Sequence, residues 1–104
     1  MKKREIVKES KDFERILNNG KCKKNRSFII YSMENNLKYN KYGISVGKKI
    51  GNAVNRNKYK RKLRAIIDKC KKNYINSKDY IIILRKGALD KNFQELQEDY
   101  INLI

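Results

Sequence analysis

GNAVNRNKYKRKLRAIIDKCKKNY, residues 51–74, is the stretch on which the fold turns. Tyr59, Leu63, Ile66, Ile67, Cys70 and Tyr74 fall at i, i+4, i+7, i+8, i+11 and i+15. On a 3.6-residue wheel these positions form one continuous apolar stripe, which predicts a long helix seated on a sheet. The remaining circumference is basic. Lys60, Arg61 and Arg64 cluster with Asn57 on one flank, and Lys58 and Lys62 lie on the other. Six of the nine residues 56–64 are Lys or Arg. Repulsion among them costs stability, so the crowding calls for a partner of opposite charge.

Working outward, the segments on either side read as strands. SFIIYSM (27–33) is rich in β-formers, with Phe28 and Ile30 on one face and Ile29, Tyr31 and Met33 on the other. Phe28, Ile29 and Ile30 read as core, whereas Tyr31, whose hydroxyl seeks a polar partner, reads as a residue of the sheet's wet edge. A polar turn through Asn35 and Asn36 leads to a short strand at Gly43–Gly47, with Ile44 and Val46 pointing the same way. KDYIIILRKG (78–87) is apolar on both faces and therefore predicts a central strand. Ser10 as N-cap, Phe13, Ile16 and Leu17 in register and Gly20 behind them predict a first short helix. A last helix would start from Asp90 as its cap and share Phe93, Leu96, Tyr100, Ile101 and Ile104 on one face. The order αββαβα, with no linker or internal repeat, predicts a single compact α+β domain over residues 1–104, a central sheet packed by helices.

Composition narrows the chemistry. The 104 residues carry 27 Lys and Arg against 11 Asp and Glu, a net charge of +16, which suits a polyanion. The charge is uneven: residues 87–104 hold 1 basic and 4 acidic side chains, so the last helix faces away from that partner or packs on basic surface. No histidine is present, so the commonest general base near neutral pH is missing. GISVGKK (43–49) lacks the glycine spacing and the Ser or Thr of a phosphate loop. Cys22 and Cys70 have neither metal-ligand nor disulfide-framework spacing and read as reduced thiols. The basic N-terminus lacks the apolar core of a secretory signal and no apolar run approaches the ~20 residues of a membrane span, which predicts a cytoplasmic protein. A membrane-surface helix is disfavoured because its apolar stripe is needed to cover the sheet. A DNA-reading helix is disfavoured for want of base-reading residues and a dimer interface.

GISVGKKIGNAVNRNKYKRKLRAII (43–67) closely resembles the signature of the bacterial ribonuclease P protein subunit. Lys48, Lys49, Gly51, Asn52, Arg56, Asn57, Lys60, Arg61 and Arg64 match it, and Lys58 stands where the family has arginine. That change keeps the charge and loses the bidentate fork. KDFERILNNG (11–20), NRSFIIYS (25–32) and KDYIIILRKG (78–87) are similar to the family's segments in the same order, so the likeness covers nearly the whole chain.

The resemblance implies an accessory subunit of a ribonucleoprotein endonuclease that removes 5′ leaders from precursor tRNA. A large RNA would carry the active site and its Mg2+ ions, leaving this chain without catalytic residues or a metal of its own. The implied partners are that catalytic RNA and precursor tRNA, with no membrane and no obligate protein partner. Lys48, Lys49, Asn52 and the helix from Arg56 to Arg64, Lys58 included, would dock against the catalytic RNA. Phe13 and Tyr31 match positions lining a cleft for the single-stranded leader, while Leu17 stands where an aromatic is common. The family also implies a left-handed βαβ crossover, against the usual hand. The rival reading is a non-catalytic RNA-binding protein of the ribosomal type with a similar βαβ layout.

Overall fold

In the computed structural model, which describes residues 1–71 and 77–104, the elements run α1 (Ser10–Asn19), β1 (Lys21–Lys24), β2 (Phe28–Glu34), β3 (Lys41–Ser45), α2 (Ala53–Cys70), β4 (Lys78–Leu84) and α3 (Phe93–Leu103). Short 3-10 turns occupy Lys3–Glu5, Lys48–Ile50 and Lys86–Asp90. The apolar stripe of α2 buries Leu63, Ile66, Ile67 and Cys70, with Tyr59 half-buried beside them. Tyr74, the last residue predicted for that stripe, lies outside the described residues. Gly51 enters the helix at φ 145°, a conformation that side-chain-bearing residues rarely adopt. Asn52 then caps it by accepting from the Asn55 backbone N–H at 3.0 Å.

The strands form one sheet in the order β1-β2-β4-β3. β4 pairs antiparallel with β2 and parallel with β3, and α2 is the crossover between the parallel strands. β4 is thus central, as its two apolar faces predict. Alternate residues separate the faces. Phe28, Ile30, Tyr42, Tyr80, Ile82 and Leu84 join α2 and α3 in the larger core. Ile81 with Val7 and Ile16 makes a smaller core beneath α1, against which Phe13, Tyr31, Met33 and Ile83 pack.

Several sequence expectations need correction. β1 is one strand more than the pattern predicts: KCKK is fully exposed and has no apolar alternation to betray it. Ser10 is the first helical residue of α1 rather than its cap. Glu9 holds the extended cap position, and its carbonyl takes the N–H groups of Asp12 (3.1 Å) and Phe13 (3.2 Å). Asp90 closes the preceding 3-10 turn, and Asn92 caps α3 in a capping box with Glu95 at 2.9 and 3.0 Å. Phe93, placed on the buried face by spacing, is 38% exposed because it stands in the first turn, ahead of buried Leu96 and Tyr100. α3 packs on the core beside α2, and its Asp99 accepts the hydroxyl of buried Ser27, whose partner position lies in the β1–β2 turn.

Candidate nucleic-acid interface

The face of the sheet that carries α1 is built of cross-strand rows set by the register. One row is Met33, Asp79 and Lys41; the next is Cys22, Tyr31, Ile81 and Gly43; the third is Lys24, Ile29, Ile83 and Ser45. Rows two residues apart lie roughly 7 Å from one another. α1 closes the first through Arg15, which donates to buried Asp79 at 3.2 Å, a carboxylate that also accepts from Asn35 at 2.9 Å. It closes the second through Phe13: a Cβ on Gly43 would come within 2.7 Å of the Phe13 ring. The ring can lie that low only over a glycine.

The third row is left open. Ile29 and Ile83 floor a groove of about 590 Å³ together with Ser45, and its rim is Lys48, Lys49, Arg85 and Lys86. Ile29 therefore departs from the core role that its sequence context predicts; it is half-buried, with its exposed side in the groove. Arg85 and Lys86 complete the basic rim from the far side of β4, and nothing in the sequence pattern singles them out. Arg85 is held in place by donating to the Asn25 carbonyl at 2.8 Å.

The aromatic supply is limited by packing. Phe28, Tyr42, Tyr80 and Tyr100 are buried, the middle pair stacked at 5.6 Å. Tyr39 and Tyr59 carry Arg4 and Lys62 over their rings at 4.9 and 5.1 Å. Phe13 and Tyr31 remain half-buried on the α1 face, in the row adjoining the open groove. A hydrogen bond with the Cys22 side chain, reinforced by electrostatics between the two groups and by desolvation, raises the Tyr31 hydroxyl above its ordinary value. Both cysteines are free, Cys22 exposed and Cys70 buried, where burial pushes the Cys70 thiol up.

The predicted basic residues gather on one continuous stretch of backbone. Lys48 and Lys49 sit in the 3-10 turn at the groove rim. Asn52 commits its side-chain oxygen to the helix cap, and its amide NH2 is the donor it can offer outward. Arg56, Asn57, Lys58, Lys60, Arg61 and Arg64 all project from α2; Asn57, Lys58, Arg61 and Arg64 are exposed, Arg56 and Lys60 half-buried. Ion pairs among the described residues involve Lys11, Arg15, Lys71, Lys91 and the N-terminal amine, and none of the predicted basic residues. Arg56 has its Nε buried with no hydrogen-bond partner among the described residues, a donor with unspent capacity. Among the described residues no group of three His, Cys, Asp or Glu is placed to hold a metal ion. No helix among them is long and apolar enough to cross a membrane.

Comparison with known proteins identifies the chain's relatives. A chain from Mycoplasma mycoides called ribonuclease P protein component is 47% identical over 109 residues, covering 100% of this chain and 96% of its own. One of the same name from Streptococcus pyogenes is 46% identical over 99 residues, covering 95% of this chain and 82% of its own. Among solved structures, the Staphylococcus aureus RNase P protein superposes with a TM-score of 0.87 at 36% identity over 95% of this chain and 91% of that one. The Thermotoga maritima RNase P protein gives 0.87 at 30% identity over 94% and 93%. The model of the Ribonuclease P family matches residues 1–104, and with relatives this similar over nearly their whole length the chain belongs to that family.

Proposed function

We propose that this chain is the protein subunit of a cytoplasmic ribonuclease P holoenzyme, in which a catalytic RNA removes the 5′ leader of precursor tRNA and the protein holds both RNAs. The observation that carries the reading is the juxtaposition of two surfaces of different chemistry. The basic side of α2, free of internal ion pairs, suits the close-packed phosphates of a folded RNA. The groove beside it has an aliphatic floor at Ile29 and Ile83 and a lysine and arginine rim, and the half-buried rings of Phe13 and Tyr31 stand in the adjoining row of the same sheet face. That combination suits an unpaired strand, whose bases stack on apolar faces while its phosphates meet cations. The protein contributes binding and orientation. Bond cleavage, with its Mg2+, belongs to the RNA.

The leader assignment is checked by substrate. Phe13→Ala and Tyr31→Ala are expected to weaken holoenzyme binding of precursor tRNA with a leader of several nucleotides, each by ~1–3 kcal/mol if its ring stacks on a base. Affinity for mature tRNA should change far less. Equal losses for both ligands would return the rings to a purely core role. The protein should also lower the magnesium concentration that the cognate catalytic RNA needs to mature precursor tRNA. A ribosomal-type structural protein would leave that requirement where it was.

A further inference from the structure

The open row of the sheet does not end at the groove. It begins at Ser45 on β3, runs over Ile83 and Ile29, and reaches β1 at Lys24. β1 is the outermost strand on that side, and its KCKK is exposed throughout. Alternation puts Cys22 and Lys24 on the face that carries α1 and sends Lys21 and Lys23 to the other. Lys24 therefore stands level with the groove floor, one strand beyond Ile29.

Arg26, two residues on, belongs to the same edge. It lies in the β1–β2 turn, which is fastened to the groove rim. The Arg85 backbone N–H donates to the Ser27 carbonyl and the Arg85 guanidinium to the Asn25 carbonyl, both at 2.8 Å. The Arg26 carbonyl packs against Gly87, one residue past Lys86 of the rim. Lys24 and Arg26 are exposed, and neither enters an ion pair among the described residues. The cations of the rim thus continue outward over the first strand.

Direction follows from what lies at each end. β3 leads through the 3-10 turn at Lys48 into α2, the helix offered to the catalytic RNA, whereas β1 is the strand farthest from β3. A strand cut by that RNA has its scissile end at the Lys48 side and its free 5′ end toward β1. Three inter-strand steps of ~4.8 Å make the row about 14 Å wide, which takes about four stacked nucleotides at ~3.4 Å each. Only a leader longer than the groove reaches the edge.

We infer that Lys24 and Arg26 form an outer phosphate site for the distal, 5′ part of the leader, where it leaves the groove across β1. The site rests on the leader reading above, and it gives a ligand to two basic residues outside the 43–67 signature. Cations that meet phosphates carry no base readout, so this site responds to leader length and not to leader sequence.

The test uses the reconstituted holoenzyme with precursor tRNAs whose leaders are about two and about ten nucleotides long, one short of the row's capacity and one beyond it. Lys24→Ala and Arg26→Ala are each expected to weaken binding of the long-leader precursor by about three- to tenfold, the scale of one released counterion, and to lower its salt slope by about one. Binding of the short-leader precursor and of mature tRNA, and docking of the protein to the catalytic RNA, should stay at the parent values. The charge-keeping Lys24→Arg and Arg26→Lys should bind the long leader as the parent does. Equal losses on both leader lengths, weaker docking to the catalytic RNA, losses in the charge-keeping variants, or no loss at all would each overturn the inference. Phe13→Ala separates it from the reading beneath. If that variant weakens precursor binding and spares mature tRNA while the edge variants show no length selectivity, the outer site alone is wrong. If neither Phe13→Ala nor the edge variants distinguish precursor from mature tRNA, the leader reading fails and the outer site with it. Length selectivity at the edge without leader selectivity in Phe13→Ala would uphold the outer site and remove only the ring.

Discussion

Raising the salt from about 50 to about 200 mM is expected to weaken binding of the protein to the catalytic RNA of the proposed holoenzyme by ~250- to ~1,000-fold. The figure follows if about six basic side chains engage phosphate, which gives a slope of log K against log salt on the order of −4 to −5. Such a slope is plausible physically because the cations of the interface are not already neutralised. The acidic side chains that form ion pairs are taken up by Lys11, Arg15, Lys71, Lys91 and the N-terminal amine, away from the signature residues. Titration of labelled protein into the catalytic RNA at several monovalent salt concentrations, with Mg2+ fixed, measures it. A slope near zero would sink the electrostatic account.

The largest effect on stability is expected at Leu63, which is 1% exposed and lies in the middle of the α2 stripe against the sheet. Leu63→Ala removes buried methyl groups and leaves a cavity that the surrounding isoleucines can only partly fill, at a cost of ~2–5 kcal/mol. For a domain whose whole stability is of order 5–15 kcal/mol, that is a large share. Urea denaturation should show a lower midpoint at an unchanged m-value. Arg61→Ala, two residues earlier and exposed, should melt close to the parent. If the two variants lose stability equally, the assignment of one to the core and the other to the RNA surface is wrong.

The contrast between those neighbours shows why so much of this protein is readable from its sequence. The stripe of α2 and the two-sided apolar run of β4 are periodic signals, and periodicity survives whatever surrounds it. β1 has no such signal: Lys21, Lys23 and Lys24 are strand residues only because β2 offers them an edge. The caps follow the same logic. Asn92 and Glu95 show the capping-box spacing in the sequence, yet Asp90 stands two residues ahead as an equally good capping residue, and the 3-10 turn decides between them. For the site, the basic residues are legible because they are contiguous. The groove is not, because Ile29 and Ile83 are chemically indistinguishable from core isoleucines. What exposes them is that α1 ends its cover of the sheet one row short, a tertiary fact. Arg85 and Lys86 join the rim for the same reason, brought there by the pairing of β4 between β2 and β3.

The order β1-β2-β4-β3 also has a consequence for synthesis. Neither β2 nor β3 pairs with the other; each waits for β4, which is made late in the chain. Before residues 78–84 leave the ribosome, only the β1–β2 hairpin and the single bridge of Ile6 to Tyr42 can form. A lone hairpin is marginal in water, so no earlier fragment of the nascent chain is a stable intermediate. Helix α2 emerges before the strand that completes its seat. It emerges, moreover, beside ribosomal RNA, the first polyanion that its lysines and arginines meet.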